Sequence, residues 1–324
     1  MTSFGESHGT ALGVVIDGCP SGIPLSEEDF LPELRRRRPG QSAVTTARSE
    51  EDHPSILSGV FEGRTTGMPI SVVILNNNQH SATYEKLRNV FRPGHADQVF
   101  QEKYGHRDHR GGGRQSGRET VARVIAGVIA RKILPTNTQI IGHTLQIGDI
   151  VASTFDPSVI EKNLVRTADA AIAKKMEAFI LERKAEADSV GGLIEIRVKN
   201  PPKSLGEPVF DKLKATLAHG IMSIGAVTGF SYGAGMKTAS MRGSEYTSDS
   251  KNFGGILGGI STGEDIVLTL SVKPATSIGA VAKEGRHDPC IVPRVIPVAE
   301  AMVAFTLADA YLHQAALHSF PASR

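Results

Sequence analysis

The apolar positions of this chain follow three patterns. Ala11–Gly18 ("ALGVVIDG") and Pro69–Leu75 ("PISVVIL") are short, nearly continuous apolar runs, the pattern of strands buried in a sheet. Leu193–Val198 ("LIEIRV") and Asp265–Pro274 ("DIVLTLSVKP") alternate apolar and polar residues, as half-exposed strands do. The third pattern is helical. Val121, Val124, Ile125, Val128 and Ile129 share one face of a 3.6-residue period, which predicts a helix over Arg118–Leu134 stopped by Pro135. Further helices are expected over Ser26–Arg38, Ala168–Ala187, Glu207–Met222 and Val298–Leu317. In Ala168–Ala187 the residues Ile172, Met176, Phe179 and Ile180 form the inner face. Strands and helices mix without regular βαβ alternation, which favours an α+β arrangement over a doubly wound sheet. No fixed-period repeat, low-complexity tract or linker divides the chain, so one domain over residues 1–324 is expected.

Composition narrows the classes of function. Of 324 residues, 40% are hydrophobic and 22% charged, the profile of a soluble globular protein. A net charge of +2 is too balanced for a general nucleic-acid binder, and any anion binding must be local. The absence of tryptophan and the five tyrosines give no support to a base-stacking platform. Cys19 and Cys290 make no disulfide framework or CxxC motif, which fits a reducing, cytoplasmic setting. The opening "MTSFGESHGT" lacks the apolar core of a signal peptide. Val298–Leu312 is the most apolar late stretch; it carries Glu300 and Asp309, is too short to span a bilayer, and reads as a buried core helix. No membrane role is expected.

Candidate chemistry gathers in loops. "RDHRGGGRQSG" sets glycines among arginines just before the predicted helix. Glycine lets backbone N–H groups approach a ligand, a helix N-terminus carries partial positive charge, and arginine supplies bidentate donors for phosphate or carboxylate. The loop is suited to an anion, but no Gly-Lys-Ser/Thr follows, so it is not a P-loop. "FGESHG" holds Ser7 and His8, "RPGHAD" holds Arg92 and His95, and "GRHDPC" holds Arg286, His287 and Asp288. Histidine near neutral pH gives or takes protons. "RRRRPGQS" adds Arg35 to Arg38, of which two are expected to be solvated at a helix end. His106 and His109 flank Asp108 but lack an HExxH or cysteine cluster, so no metal site is expected. A serine hydrolase lacks its GxSxG, and a nicotinamide dehydrogenase lacks GxGxxG after a strand.

Taken together and in order, "FGESHG", "RRRPGQS", "FRPGHAD", "YGHRDHRGGGRQSGRET", "LGEPVFDKL", "MSIGAVTGF", "GGILGGISTG", "KPATSIG", "GRHDPC" and "PVAEAM" closely resemble the chorismate synthase family over nearly the whole chain. The resemblance implies a β-α-β sandwich fold and a homotetramer. It implies a lyase that converts 5-enolpyruvylshikimate 3-phosphate to chorismate by 1,4-anti elimination of phosphate. Reduced FMN would be needed without net redox change, with NADPH a candidate reductant. The alternative is a catalytically weak relative that binds FMN or phosphate.

The resemblance also implies roles by position. His8 would protonate the leaving phosphate, His95 would stabilise or protonate the reduced flavin, and Asp288 would assist removal of the ring proton. Ser7 and Ser116 would link these groups by hydrogen bonds. Arg37, Arg92, Arg118 and Arg286 would clamp the substrate. Arg114, Gln115, Ser116, Gly225, Ala226, Gly258, Lys273, Pro274, Ala275, Thr276, Ser277 and Arg286 would contact FMN. The chain departs from the family in several places. Ala43 stands where the family usually has arginine, "GRQSGRET" replaces "GRSSARET", the strand that usually precedes the first motif is expected to be lacking, and the segment before "GRHDPC" is short.

Overall fold

Two antiparallel sheets enclose a layer of helices. The computed structural model describes residues 1–40, 52–76, 88, 90–279 and 288–319. Ala43, Arg286 and His287 lie outside the described residues. The first sheet runs in the order Thr2–Gly5, Ala11–Ile16, Ile70–Leu75, Pro54–Ser58. Its register sets Leu12 beside Ile74, Val14 beside Val72 and Ile16 beside Ile70, and all six side chains are buried on one face. The second sheet runs Val227–Tyr232, Ile266–Val272, Gly192–Lys199, Gln139–Ile147, Ile150–Val151. Ile194, Ile196 and Val198 pair with Leu270, Leu268 and Ile266, again on one buried face. The period-2 alternation of the sequence is the direct cause.

Helix Thr120–Ile133 packs on the first sheet, and the C-terminal helix Val292–Ser319 packs between it and the second sheet. The two helices meet at Gly127, where an added Cβ would stand 2.4 Å from the Cβ of Ala301. Thr120–Ile133 is therefore buried well beyond the single apolar face expected, with Ala122, Ala126 and Ala130 also enclosed.

Several element boundaries differ from expectation for identifiable reasons. The C-terminal helix starts at Val292, ahead of the expected Val298, and includes Pro297. Proline has no N–H, which leaves the Pro293 carbonyl without its helical donor. The buried Arg166 supplies one instead, Nη1 to that carbonyl at 2.7 Å. The longer helix overturns the expectation on length: by length and composition it could cross a bilayer, yet 67% of the relevant window is buried inside the molecule. The helix expected from Glu207 begins at Leu213, because Gly206 (φ 106°) and Val209 (φ 66°) are left-handed and Pro208 stands between them. The start expected at Arg118 is a 3-10 turn, Gly117–Glu119, capped by Ser116. The strands Thr2–Gly5, Pro54–Ser58, Gln139–Ile147 and Val227–Tyr232 were not anticipated.

Candidate active site

Three consecutive glycines organise the site. Gly111, Gly112 and Gly113 all have positive φ, at 63°, 97° and 53°. A Cβ on Gly111 would lie 2.2 Å from the His8 ring and 2.6 Å from Ser7 Oγ. A Cβ on Gly112 would lie 3.2 Å from His95 Cε1 and 3.3 Å from its Nε2. The basic glycine loop thus packs its backbone directly against the histidines of two other motifs. Only residues without side chains permit that approach.

His8 is held by the turn between strands Thr2–Gly5 and Ala11–Ile16. Asn76, which follows strand Ile70–Leu75, fixes that turn by donating to the carbonyls of Glu6 (3.1 Å) and Gly9 (2.9 Å). Ser7 and His8 are both buried, and Ser7 Oγ lies 3.0 Å from His8 Nδ1.

His95 follows the Arg92–Gly94 turn. Its Nδ1 is 2.9 Å from Asp97 Oδ1, and Asp97 in turn accepts from Arg92 Nε at 2.8 Å and Arg92 Nη2 at 3.0 Å. Burial, Arg92 and Lys273 push the His95 imidazole below its usual pKa, against the opposing pull of Asp97. Burial alone would raise Asp97, but the hydrogen bonds and charge of Arg92 outweigh it and hold the carboxyl down at about 2.

Arg37 and Arg118 meet on a carboxylate that the sequence reading missed. Asp52 Oδ2 accepts from Arg37 Nη1 at 3.1 Å, and its Oδ1 accepts from Arg118 Nη1. All three are buried. Arg37 also donates to Thr120 Oγ1 (3.1 Å) and to the Gly117 carbonyl (3.1 Å), and Arg118 Nε donates to Asn76 Oδ1 at 3.3 Å. Of the other arginines in that run, Arg35 is exposed and Arg36 is drawn into ion pairs with Glu33, Glu161 and Glu300. Asp288 pairs with Arg294, whose Nε reaches the Arg37 carbonyl at 3.4 Å, so the "GRHDPC" end is joined to this cluster.

The described residues expected at the flavin fall into two groups and one outlier. Thr276 lies beside Gly94, 3.1 Å from where its Cβ would be, and Lys273 N–H donates to the Ala226 carbonyl at 3.0 Å. The Lys273–Ser277 segment and Ala226 therefore adjoin the His95 turn, with Gly225 next to them in open space. Arg114 donates to the Gly5 carbonyl (2.7 Å) and Ser3 Oγ (2.7 Å), Gln115 is exposed, and Ser116 Oγ accepts from Arg118 N–H. Gly258 lies apart from these: its hairpin is bonded to Leu205 and Leu213, and no described contact ties it to either histidine. A cavity of about 490 Å³ is lined by Glu6, His95, Arg107, Gly112, Arg114 and Gln115 among others. That volume falls within the roughly 300–1,000 Å³ of cofactor sites.

A model of the family described as chorismate synthase matches residues 1–312. The chain belongs to the chorismate synthase family. It is 49% identical over 339 residues to the chorismate synthase of Methanosarcina mazei, covering 95% of this chain and 93% of that protein. It is 46% identical over 340 residues to that of Chloroflexus aggregans, covering 97% and 93%. A crystal structure of chorismate synthase superposes with a TM-score of 0.77 at 30% identity, covering 97% of this chain and 91% of the other. The expected β-α-β sandwich is thereby borne out. Chorismate synthase is a carbon–oxygen lyase of the shikimate pathway, on the route to the aromatic amino acids, and this chain has that function. It eliminates phosphate from 5-enolpyruvylshikimate 3-phosphate, and the family implies a requirement for reduced flavin. The cavity suits such a group: glycine backbone on one wall, His95 and arginine guanidinium groups on the others.

Proposed function

We propose that the glycine loop is the seam of the active site, with His8 on one side and His95 on the other. The observation that carries this reading is the packing of Gly111 against His8 and of Gly112 against His95. Reduced FMN, when bound, would supply electron density for the elimination. The chain's own residues handle protons and charge. Ser7 Oγ lies 3.0 Å from His8 Nδ1; in the tautomer where Ser7 donates, His8 carries its proton on Nε2 and gives it to the departing phosphate. Asp288 serves the ring proton, and its ion pair with Arg294 orients it. Arg37 and Arg118 present paired positive charge to the anionic substrate. Arg92 gives Nε and Nη2 to Asp97, leaving Nη1 for the substrate, and Arg286 completes the clamp. Arg114, Gln115, Ser116, Gly225, Ala226, Lys273, Pro274, Ala275, Thr276 and Ser277 line the flavin side, with Ser116 also fixing Arg118. Gly258 joins them from a neighbouring copy in a homotetramer, since its own hairpin stands apart.

NADPH serves as the reductant in a cytoplasmic setting. One continuous hydrophobic cluster spans both sheets, which supports reading the chain as a single domain. Chorismate formation is to be assayed anaerobically with pre-reduced FMN and aerobically with NADPH plus FMN. Turnover under both conditions is expected. Turnover only with pre-reduced FMN would remove NADPH from the reading, and none under either would remove the site.

A further inference from the structure

The His95 side of the cavity contains a carboxylate to which the resemblance gives no role. We infer that Asp97 is a positioning residue that fixes His95 as the Nδ1–H tautomer and turns a bare Nε2 toward the cavity. This rests on the reading of His95 as an active-site group.

The geometry favours a proton on Nδ1. His95 Nδ1 is 2.9 Å from Asp97 Oδ1 and 3.2 Å from Arg92 Nη2. If Nδ1 were unprotonated, its lone pair would face a carboxylate oxygen at that shorter distance, which is repulsive. With a proton on Nδ1, the carboxylate accepts it at 2.9 Å; Arg92 Nη2 carries two N–H groups, one of which goes to Asp97 Oδ1 at 3.0 Å, and the other reaches Nδ1 only at the longer 3.2 Å, where it would leave the Nδ1 lone pair against the carboxylate. Arginine only donates, so it cannot compete as the acceptor. Asp97 is buried and bound on both oxygens, by Arg92 Nε at 2.8 Å on Oδ2 and by Arg92 Nη2 on Oδ1, so it cannot swing away. Arg107 Nη1 adds a further positive charge 3.7 Å from Oδ1.

The other ring nitrogen looks the opposite way. Nε2 adjoins Gly112, and both residues line the cavity. A neutral imidazole with its proton on Nδ1 presents a lone pair there. In the neutral ring His95 is therefore an acceptor at Nε2, and only after taking a proton there can it give one back to a bound flavin. A proton arriving at Nε2 makes an imidazolium that the Asp97 carboxylate stabilises. The depressed His95 pKa, caused by burial, Arg92 and Lys273, keeps the ring neutral until then.

The test is ¹⁵N NMR of histidine-labelled apoprotein near pH 7.5, with the His95 signals assigned from a His95→Gln sample. The wild-type protein is expected to show His95 protonated at Nδ1 and bare at Nε2, the minor tautomer of free histidine. In Asp97→Asn the amide oxygen is expected to keep the Arg92 Nε donor, which turns the NH₂ toward Nδ1 and moves the ring proton to Nε2. Turnover with pre-reduced FMN should then fall by roughly 10²–10⁴-fold, the span of a general acid–base group, with KM for the substrate little changed. Asp97→Glu should recover part of that loss. A wild-type spectrum with the proton on Nε2 overturns the proposal even if no variant folds, and so does an Asp97→Asn spectrum with the proton still on Nδ1. A tautomer that shifts as expected while turnover is unchanged upholds Asp97 as the group that sets the ring, and overturns instead the catalytic reading of His95.

Discussion

The Glu300 carboxylate accepts a 2.6 Å hydrogen bond from the Gly142 backbone N–H, joining the C-terminal helix to the second sheet deep in the core. The same carboxylate takes Arg36 Nη1 at 2.5 Å and Arg131 Nη2 at 3.4 Å, so four elements meet on one buried charge. Arg36 is held protonated: burial opposes its charge, but Glu300 and the neighbouring Glu33 and Glu161 more than offset that. Removing one member of such a group leaves buried charge uncompensated, at a cost of about 3–5 kcal/mol. Glu300→Ala should lose that much stability in urea denaturation. A loss below about 1 kcal/mol would mean that water replaces the carboxylate.

Gly111→Ala should damage catalysis more than folding. Its φ of 63° is strained for alanine, and the new methyl would sit 2.2 Å from the His8 ring. His8 must shift, and a displacement of about 1 Å in a reacting group costs on the order of 10²-fold in rate. Gly117→Ala is the control, because no atom lies within 4 Å of its Cβ position and its φ is not left-handed. That variant should be gained at no loss of activity and with about 0.4–1 kcal/mol of added stability from the less flexible unfolded chain. Equal turnover in the two variants would detach His8 from the reaction.

Much of the frame was legible because burial and period coincide. Helix Thr120–Ile133 shows its face in Val121, Val124 and Ile125, and strand Gly192–Lys199 shows its alternation. Strand Gln139–Ile147 was not legible, because Gly142, His143 and Thr144 interrupt its apolar pattern. Gly142 is there to admit Ile296, 2.8 Å from where its Cβ would be, a need set by a residue far along the chain. The site shows the same division. His8 and His95 stand in glycine-flanked motifs that invite attention. Asp52 sits in an unremarkable acidic stretch, and its role depends on Arg37 and Arg118 arriving from other elements. Asp97 had a signal, two residues after His95, but that spacing becomes chemistry only when the turn folds both side chains together.

Arg118 should be a binding residue above all. It is buried, and Asp52 and Asn76 fix its guanidinium. Arg118→Ala should weaken substrate binding by about 1.5–3 kcal/mol, the range for a hydrogen bond to a charged group, which is about 10- to 150-fold in Kd. Arg118→Lys keeps the charge but not the planar fork, and should recover only part of it. Calorimetric titration of each variant with substrate in the absence of flavin checks this. Wild-type affinity in Arg118→Ala would place the substrate elsewhere.

Acid should loosen the His95 turn in two separable stages. Burial, Arg92 and Lys273 lower the folded pKa of His95 from its ordinary 6.5. The unfolded chain therefore takes up that proton first, so this contribution to stability is full above about pH 6.5 and declines as the pH falls below it. Asp97 acts lower on the scale. Burial would raise it, but Arg92 brings its folded pKa from 3.8 to about 2, so its contribution is full above about pH 4 and is lost toward about pH 2. Both signs are the same: stability falls with pH because the unfolded state binds more protons. Urea midpoints measured from pH 8 down to pH 3 should therefore decline in wild type, with the upper part of the decline reduced in His95→Gln and the lower part reduced in Asp97→Asn. A His95→Gln profile that still tracks wild type between pH 7 and pH 5 would show that His95 titrates alike in the folded and unfolded chains, against the burial and the Arg92 and Lys273 charges that surround it.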